Sequence, residues 1–343
     1  MDTQNHFYSH AGVLAAYCGL RRPRHVAGLL QHGWTATSPV ASNFGDFPGV
    51  DGRGRRRLLV WSHESRGWSP GAEPSLTTAV GAPWLYLDRL ASDGGAGRRG
   101  PADGPTLVVP LHGTRVIRRA GDHAALAAEV REREGSAVVS VHHEDLHDPA
   151  LVDGWRGAGH DLVSFGARQD PAFLPRQLGL FRTVGRVVSN RLSTGLLYAA
   201  ALGIPVAVYG DPFVVETGER ETYELVRERW AEFHGEHPDP AITTELARRE
   251  LGAASVREPG ELRALLGWQR PVSPGPAADY WARGPVGKAL RVLGVRQRVG
   301  AAPRLEAGVG ASTWLRHPLS HLPQPLSRHL PPIDPLPEPL RPS

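Results

Sequence analysis

The sequence predicts an α/β protein made of two parallel-sheet halves. Three observations predict it. Short runs of Val, Leu and Ile alternate with helix-length segments, polar residues stand repeatedly just beyond those runs, and a Gly-rich interval divides the chain. Strands alternating with helices imply βαβ units and a parallel sheet. At 343 residues the chain is long enough for two domains, each with its own core. The expected organisation is a first α/β domain over residues 1–90, a linker over 91–105 and a second domain over 106–275. A C-terminal helix within 276–300 and a Pro-rich disordered tail over 301–343 follow.

In the first half, Gly12 to Leu20 is expected as a helix ended by Arg21-Arg22-Pro23. A strand from Val26 to Leu30 closes on Gln31-His32-Gly33-Trp34, and one from Leu58 to Trp61 closes on Ser62-His63-Glu64-Ser65. Trp84 to Leu87 is expected as a third strand. The interval Ala91 to Pro105 carries Gly94, Gly95, Gly97, Gly100 and Gly104 without apolar periodicity and reads as a linker.

Beyond it the alternation is regular. Strands are expected at Thr106 to Leu111, Ala137 to Val141 and Leu162 to Phe165, with helices at Asp122 to Glu134, Pro149 to Trp155 and Pro171 to Val184. The organising stretch comes next. Val187-Val188 is a short strand that stops at Ser189-Asn190; Ser193 and Thr194 cap a helix from Leu196 to Leu202, which Gly203 ends; and Ile204 to Tyr209 is a further strand. Helices are then expected at Glu219 to His234, Ala241 to Leu251, Pro259 to Trp268 and Ala277 to Leu293.

Composition narrows the function classes. The single Cys18 excludes an internal disulfide and a Cys-based zinc site, and suits a reducing compartment. No apolar run approaches the roughly 20 residues of a membrane span, and the N-terminus lacks a signal-peptide core. A cytoplasmic protein is expected. The net charge of +4 is carried almost wholly by Arg, with Lys288 the only lysine. The basic residues are scattered, with no basic-aromatic stripe of the kind that tracks nucleic acid. A mild positive balance suits anionic substrates or peripheral contact with the inner face of a membrane.

The candidate chemistry lies past strand ends, where ligands bind in open α/β sheets. A Ser/Thr-rich turn feeding a helix N-terminus is an anion site, which makes Ser189, Asn190, Ser193, Thr194 and Gly195 candidates; the bland reading is a helix cap. His32 can act as a base near neutral pH, and Gly33 lets backbone approach a ligand. His112, with Gly113 and Thr114, has the same setting in the second half and suits anion binding. Arg168 can clamp a diphosphate with paired donors and is expected on the same sheet edge as His112 and Ser193. The run His142-His143-Glu144-Asp145-Leu146-His147 invites a metal, but its spacing matches no helical His-Glu-x-x-His site; it ranks below a solvated loop, with His142 able to face a ligand. His63-Glu64 is treated the same way. Glycine fingerprints of dinucleotide enzymes, phosphate loops of NTPases and the nucleophile elbow are all absent from the sequence.

The motifs Gln31-His32-Gly33, Pro110-Leu111-His112-Gly113-Thr114, Ser193-Thr194 and Gly203-Ile204-Pro205-Val206 resemble those of GT-B glycosyltransferases. The nearest likeness is to CDP-glycerol glycerophosphotransferase-like and capsule or sialyltransferase-like enzymes of bacterial cell-surface polymers. It spans roughly residues 25–211. Departures are Ser189-Asn190 where an acidic residue often precedes the serine pair, and the lack of a clear acidic nucleotide motif. The resemblance implies two Rossmann-like domains facing a cleft, with a nucleotide-sugar donor in the second half and a glycan or small-molecule acceptor in the first. His32 would then be the general base. His112, Arg168, Ser193 and Thr194 would hold the donor diphosphate, with neither metal nor cofactor required. A nucleotide-sugar 2-epimerase and a non-catalytic glycan- or partner-binding scaffold are the alternatives.

Overall fold

The computed structural model describes residues 3–44, 57–68, 76–93, 101–111, 121–143, 145–213, 219–269 and 274–283, with a few isolated positions beyond. The protein is mixed α/β with two parallel sheets. It divides into two compact units. The first holds residues 1–96, 168–174 and 248–328, and the second 97–167, 175–247 and 329–343.

The first unit begins with a 3-10 turn, Thr3–Ser9, running into helix α1, His10–Tyr17. Its sheet is parallel and three-stranded, in the order β1 (Leu29–Leu30), β2 (Leu58–Val60), β3 (Thr77–Ala79). Helix α2 (Pro39–Phe44) lies between β1 and β2 in the chain, and α3 (Pro83–Asp93) follows β3. Leu29, Phe44, Leu58, Val60 and Ala79 form a buried cluster with Val40 and Trp68 against it. Helix α1 packs on α3.

The expected third strand at Trp84 to Leu87 is corrected here: these residues lie in α3, and the strand is Thr77–Ala79. All four are buried. A short apolar run has no period that separates a buried strand from a buried helix, and Pro83, at the first helical position, decides for the helix.

Strands this short leave ladder groups beyond their ends, and side chains complete the ladder. Asn5 accepts from Leu30 N at 2.7 Å and donates to Gly28 O at 3.0 Å. Gln31 Oε1 accepts from Trp61 N at 2.9 Å, while the Trp61 indole donates to Gln31 O at 3.1 Å. The polar residue after β1 is thus a structural rivet between β1 and β2.

In the second unit all five strands are parallel. They are β4 (Thr106–Val108), β5 (Val138–Ser140), β6 (Asp161–Val163), β7 (Arg186–Ser189) and β8 (Val206–Val208), in spatial order β6-β5-β4-β7-β8. The chain winds outward one way from β4, then returns to β4's other side for β7 and β8, which is the doubly wound, Rossmann-like order. Helix α4 (His123–Glu134) is capped by Asp122, which accepts from Ala124 N and Ala125 N. Asp148 caps α5 (Pro149–Gly157) in the same way, with Pro149 in its first turn. Helix α6 (Phe173–Phe181) precedes β7, and α7 (Thr194–Ala201) joins β7 to β8. Val108, Leu126, Val130, Val139, Trp155, Leu162, Val188 and Ala207 are among the residues of the buried core. Gly203 ends α7 at φ 79°, with its N–H on Ala200 O and that of Ile204 on Ala199 O.

Helices α8 (Glu219–Arg229) and α9 (Pro240–Glu250) follow, and the chain re-enters the first unit within α9. There Glu250, 1% exposed, accepts from the Trp34 indole at 2.9 Å, Ser65 Oγ at 2.5 Å and Arg66 N at 2.9 Å. Gly252 sits at φ 75°, and a Cβ on it would fall 1.8 Å from Trp61 O. Helix α10 (Pro259–Leu265) leads to Trp268, whose indole donates to His25 O at 3.1 Å. A short helix α11 (Gly275–Ala278) runs into a π-turn at Asp279–Arg283. Of the expected linker, residues 94–100 lie outside the described residues, as does most of the span 284–343. Among the described residues no helix is long and apolar enough to cross a membrane.

Glu250→Ala should lower stability by about 3 kcal/mol, because three donors lose an acceptor at a buried position. Glu261→Ala, which removes an exposed ion pair to Arg257, should cost under about 0.5 kcal/mol. Urea midpoints at constant m-value test the contrast.

Candidate functional site

Each unit carries a candidate site at a strand end. In the second unit the strand order reverses between β4 and β7, and the chain leaves these neighbours toward opposite sides of the sheet. The crevice outside their carboxyl ends is therefore the place where this architecture admits a ligand. Helix α7 opens there. Ser193, in extended conformation, caps it by accepting from Leu196 N at 3.4 Å, and Thr194 and Gly195 form its first turn. That turn presents the positive end of the helix dipole. A Cβ on Gly195 would stand 3.2 Å from Gln177 Nε2 and 3.5 Å from Val109 Cγ1, so a larger residue would crowd the crevice.

Ser189 and Asn190 line this edge as braces. Ser189 Oγ donates to Val109 O at 2.7 Å and accepts from Arg191 N at 3.2 Å. Asn190 accepts from Leu111 N at 2.8 Å and donates to Asp211 O at 2.7 Å. Both side chains are spent on backbone, so they shape the crevice and hold the ends of β4, β7 and β8 together. Arg191, which sequence reasoning passed over, follows them with its guanidinium 5.6 Å from the Tyr223 ring centroid. Its signal was available: a cation one residue beyond a strand-end turn. His142 leaves β5, its carbonyl accepts from Asp145 N at 2.9 Å, and its ring lies 4.7 Å from that of His143. No group of three or more His, Cys, Asp or Glu side chains among the described residues is placed to hold a metal. His112, Gly113 and Thr114 lie outside the described residues.

The first unit brings together a different set. His32 follows β1, and its backbone N–H donates to Asn43 Oδ1 at 3.3 Å. Gln31 Nε2 donates to Gly33 O at 2.9 Å, which fixes the Gln31-His32-Gly33 turn. The His32 ring meets Phe7 edge-on at 5.8 Å, and its Nδ1 is buried without a hydrogen-bond partner among the described residues. Burial, with the Arg168 charge nearby, brings His32 down to about 4, so the imidazole is neutral at physiological pH and its lone pair is available.

Arg168 follows β6 in the chain and is grouped with the first unit. Its guanidinium lies 4.5 Å from the Phe7 ring centroid, and its carbonyl accepts from Tyr8 N at 2.5 Å. The turn after β6 is where the chain visits the first unit, over residues 168–174. A local reading of strand and turn has no means of anticipating that crossing.

His10 was also missed. It begins α1, is fully buried, and stands edge-on to Trp61 at 6.2 Å between ring centroids. Burial, with His32 beside it, pushes it down to about 3.

No known family's profile matches the chain, and no curated protein matches it. Among solved structures, the chain is similar to a UDP-glucose: anthocyanidin 3-O-glucosyltransferase in complex with UDP, at 13% identity over 86% of this chain and 69% of that one, TM-score 0.28. A UDP-N-acetylglucosamine 2-epimerase assigned in Listeria monocytogenes is similar at 13% identity, 84% and 79% coverage and TM-score 0.31. An Arabidopsis thaliana protein complexed with UDP-L-rhamnose is similar at 13% identity, 75% and 58% coverage and TM-score 0.26. At such distances the functional reading stands on the geometry of the sites.

The buried histidine sets a pH dependence. With its folded pKa below the unfolded 6.5, His10 takes up a proton on unfolding, so its contribution to stability is full above about 6.5 and is lost as pH falls toward about 3. Between pH 6 and 4.5, His10→Asn should lose stability more slowly than the wild type, by on the order of 1 kcal/mol per pH unit. Parallel losses in urea titrations would contradict a buried neutral His10.

Proposed function

We propose that the protein is a GT-B-like glycosyltransferase that moves a sugar or related group from a nucleotide-activated donor to a glycan or small-molecule acceptor. The observation that carries this reading is the β6-β5-β4-β7-β8 order with a capped helix, α7, opening at its switch point. A diphosphate placed against the first turn of α7 meets the dipole's positive end and, with Arg191 near by, needs no metal to offset its charge. The nucleotide-activated donor is itself the substrate, and no cofactor is invoked. Donor binding belongs to the second unit.

The acceptor belongs to the first unit, with His32 as general base. A neutral imidazole with an unpartnered Nδ1 can take the proton from an acceptor hydroxyl as the new bond forms. The leaving nucleoside diphosphate would be stabilised where its charge develops, against α7. One observation favours a second reading, a non-catalytic scaffold: Ser189, Asn190 and Ser193 all direct their side chains to backbone, which leaves few side-chain ligands for a phosphate.

Thermal-shift titration with UDP-, GDP-, dTDP-, CMP- and CDP-linked donors tests the first reading. One nucleotide class should raise the melting temperature by mass action. Thr194→Asp should abolish that shift while leaving the ligand-free protein as stable as before, because a carboxylate at a helix N-terminus favours the helix yet repels a diphosphate. With that donor, His32→Gln should lower kcat by about 10²- to 10⁴-fold with donor affinity unchanged. Donor binding without turnover of any acceptor, in wild type and His32→Gln alike, would favour the scaffold.

A further inference from the structure

Four residues of the first unit leave five buried polar atoms without a hydrogen-bond partner among the described residues: Ser9 Oγ, both ring nitrogens of His10, His32 Nδ1 and Asn43 Nδ2. They are neighbours. Ser9 and His10 are consecutive, His10 feels the charge of His32, and Asn43 accepts from the His32 backbone N–H at 3.3 Å. Ser9, His10 and Asn43 are 4%, 0% and 6% exposed. Buried polar groups are almost always paired, and each orphan costs about 1–3 kcal/mol, so a concentration of exceptions marks a missing partner.

The local backbone supports that reading. Tyr8 and Ser9 adopt φ 55° and 68°, the left-handed region that side chains avoid, where the 3-10 turn meets α1. Ser9 stands at the cap position of α1 yet its side chain caps nothing. Its Oγ lies instead over the first turn, 2.8 Å from where a Cβ on Gly12 would be.

The chemistry of the orphans selects the partner. The Ser9 hydroxyl, the Asn43 amide and one ring N–H of neutral His10 can all donate, while the His32 lone pair stands beside them. The amino terminus of α1 adds positive potential, and Arg168, packed on Phe7, adds a charge near His32. A metal ion would find an amide N–H and an arginine opposing it; an oxyanion finds a hydroxyl, an amide N–H and an imidazole N–H to donate to it. We infer that Ser9, His10 and Asn43 form an oxyanion subsite in the first unit, beside His32, that receives a phosphate or carboxylate group of the acceptor. This rests on the acceptor-side reading above, with the group that is bound standing close to His32.

The test uses the full chain without donor, titrated with sodium phosphate, sodium acetate or sodium chloride at matched ionic strength. Long-range proton–nitrogen NMR reads the imidazoles, with His10 and His32 assigned from His10→Asn and His32→Gln. Phosphate or acetate should move both signals to saturation, and chloride should not. Saturation by phosphate alone assigns a phosphorylated acceptor, and by acetate alone a carboxylated one. Ser9→Ala should weaken the effective anion at least tenfold, and Thr194→Asp should leave its affinity unchanged. Signals unmoved by either anion, moved equally by chloride, or moved with equal affinity in Ser9→Ala would overturn the subsite and leave ordered water as the partner. Donor binding is read separately, so its loss with phosphate binding intact would sink only the transferase reading.

Discussion

Very short strands impose the constraint on which the rest of this protein depends. A two- or three-residue strand makes few ladder hydrogen bonds, and the backbone just beyond it enters a buried environment with unpaired groups. Both units meet the constraint alike, by placing a small amide or hydroxyl side chain at the strand end. Asn5 and Gln31 tie β1 to the N-terminal segment and to Trp61, while Ser189 and Asn190 tie β7 to Val109, Leu111 and Asp211. These bonds order the loops that follow, and the candidate functional residues are on those loops.

This economy separates residues that build the sites from residues free to act in them. Ser189, Asn190 and Gln31 are builders. His32, Ser9, His10 and Asn43 keep atoms in reserve. At α7 the groups that the proposed diphosphate would meet are the helix terminus itself and Arg191, an arrangement suited to an anion held largely by backbone. Neutral imidazoles fit the first unit for a related reason: burial and adjacent positive charge disfavour protonation, which keeps the rings neutral at physiological pH.

Much of the second unit was legible in sequence because its elements carry local signals. Asp122 and Asp148 announce helix starts, Gly203 announces a stop, and the apolar runs at Val138, Val187 and Val206 fall between turn residues. The first unit was less legible. Trp84 to Leu87 is apolar at every position, so period fails there, and Pro83 was the better guide. Helix α1 was anticipated from Gly12 onward, and His10, just before that span, drew no attention. Its burial depends on Trp61 and His32, far along the chain. The contacts of Arg168 and Glu250 were out of reach for the same reason. Each lies in a segment that returns to the first unit, and neither crossing leaves a trace in local pattern.

The central claim is that the β4–β7 switch point, opened by α7, binds a nucleoside diphosphate. Hydrogen–deuterium exchange with and without UDP, GDP, CDP or dTDP tests it most directly. One nucleotide should slow exchange in peptides covering 190–197 and the segment after β4, leaving the rest of the second sheet unchanged. Protection confined to other segments, or absent with every nucleotide, would contradict the account.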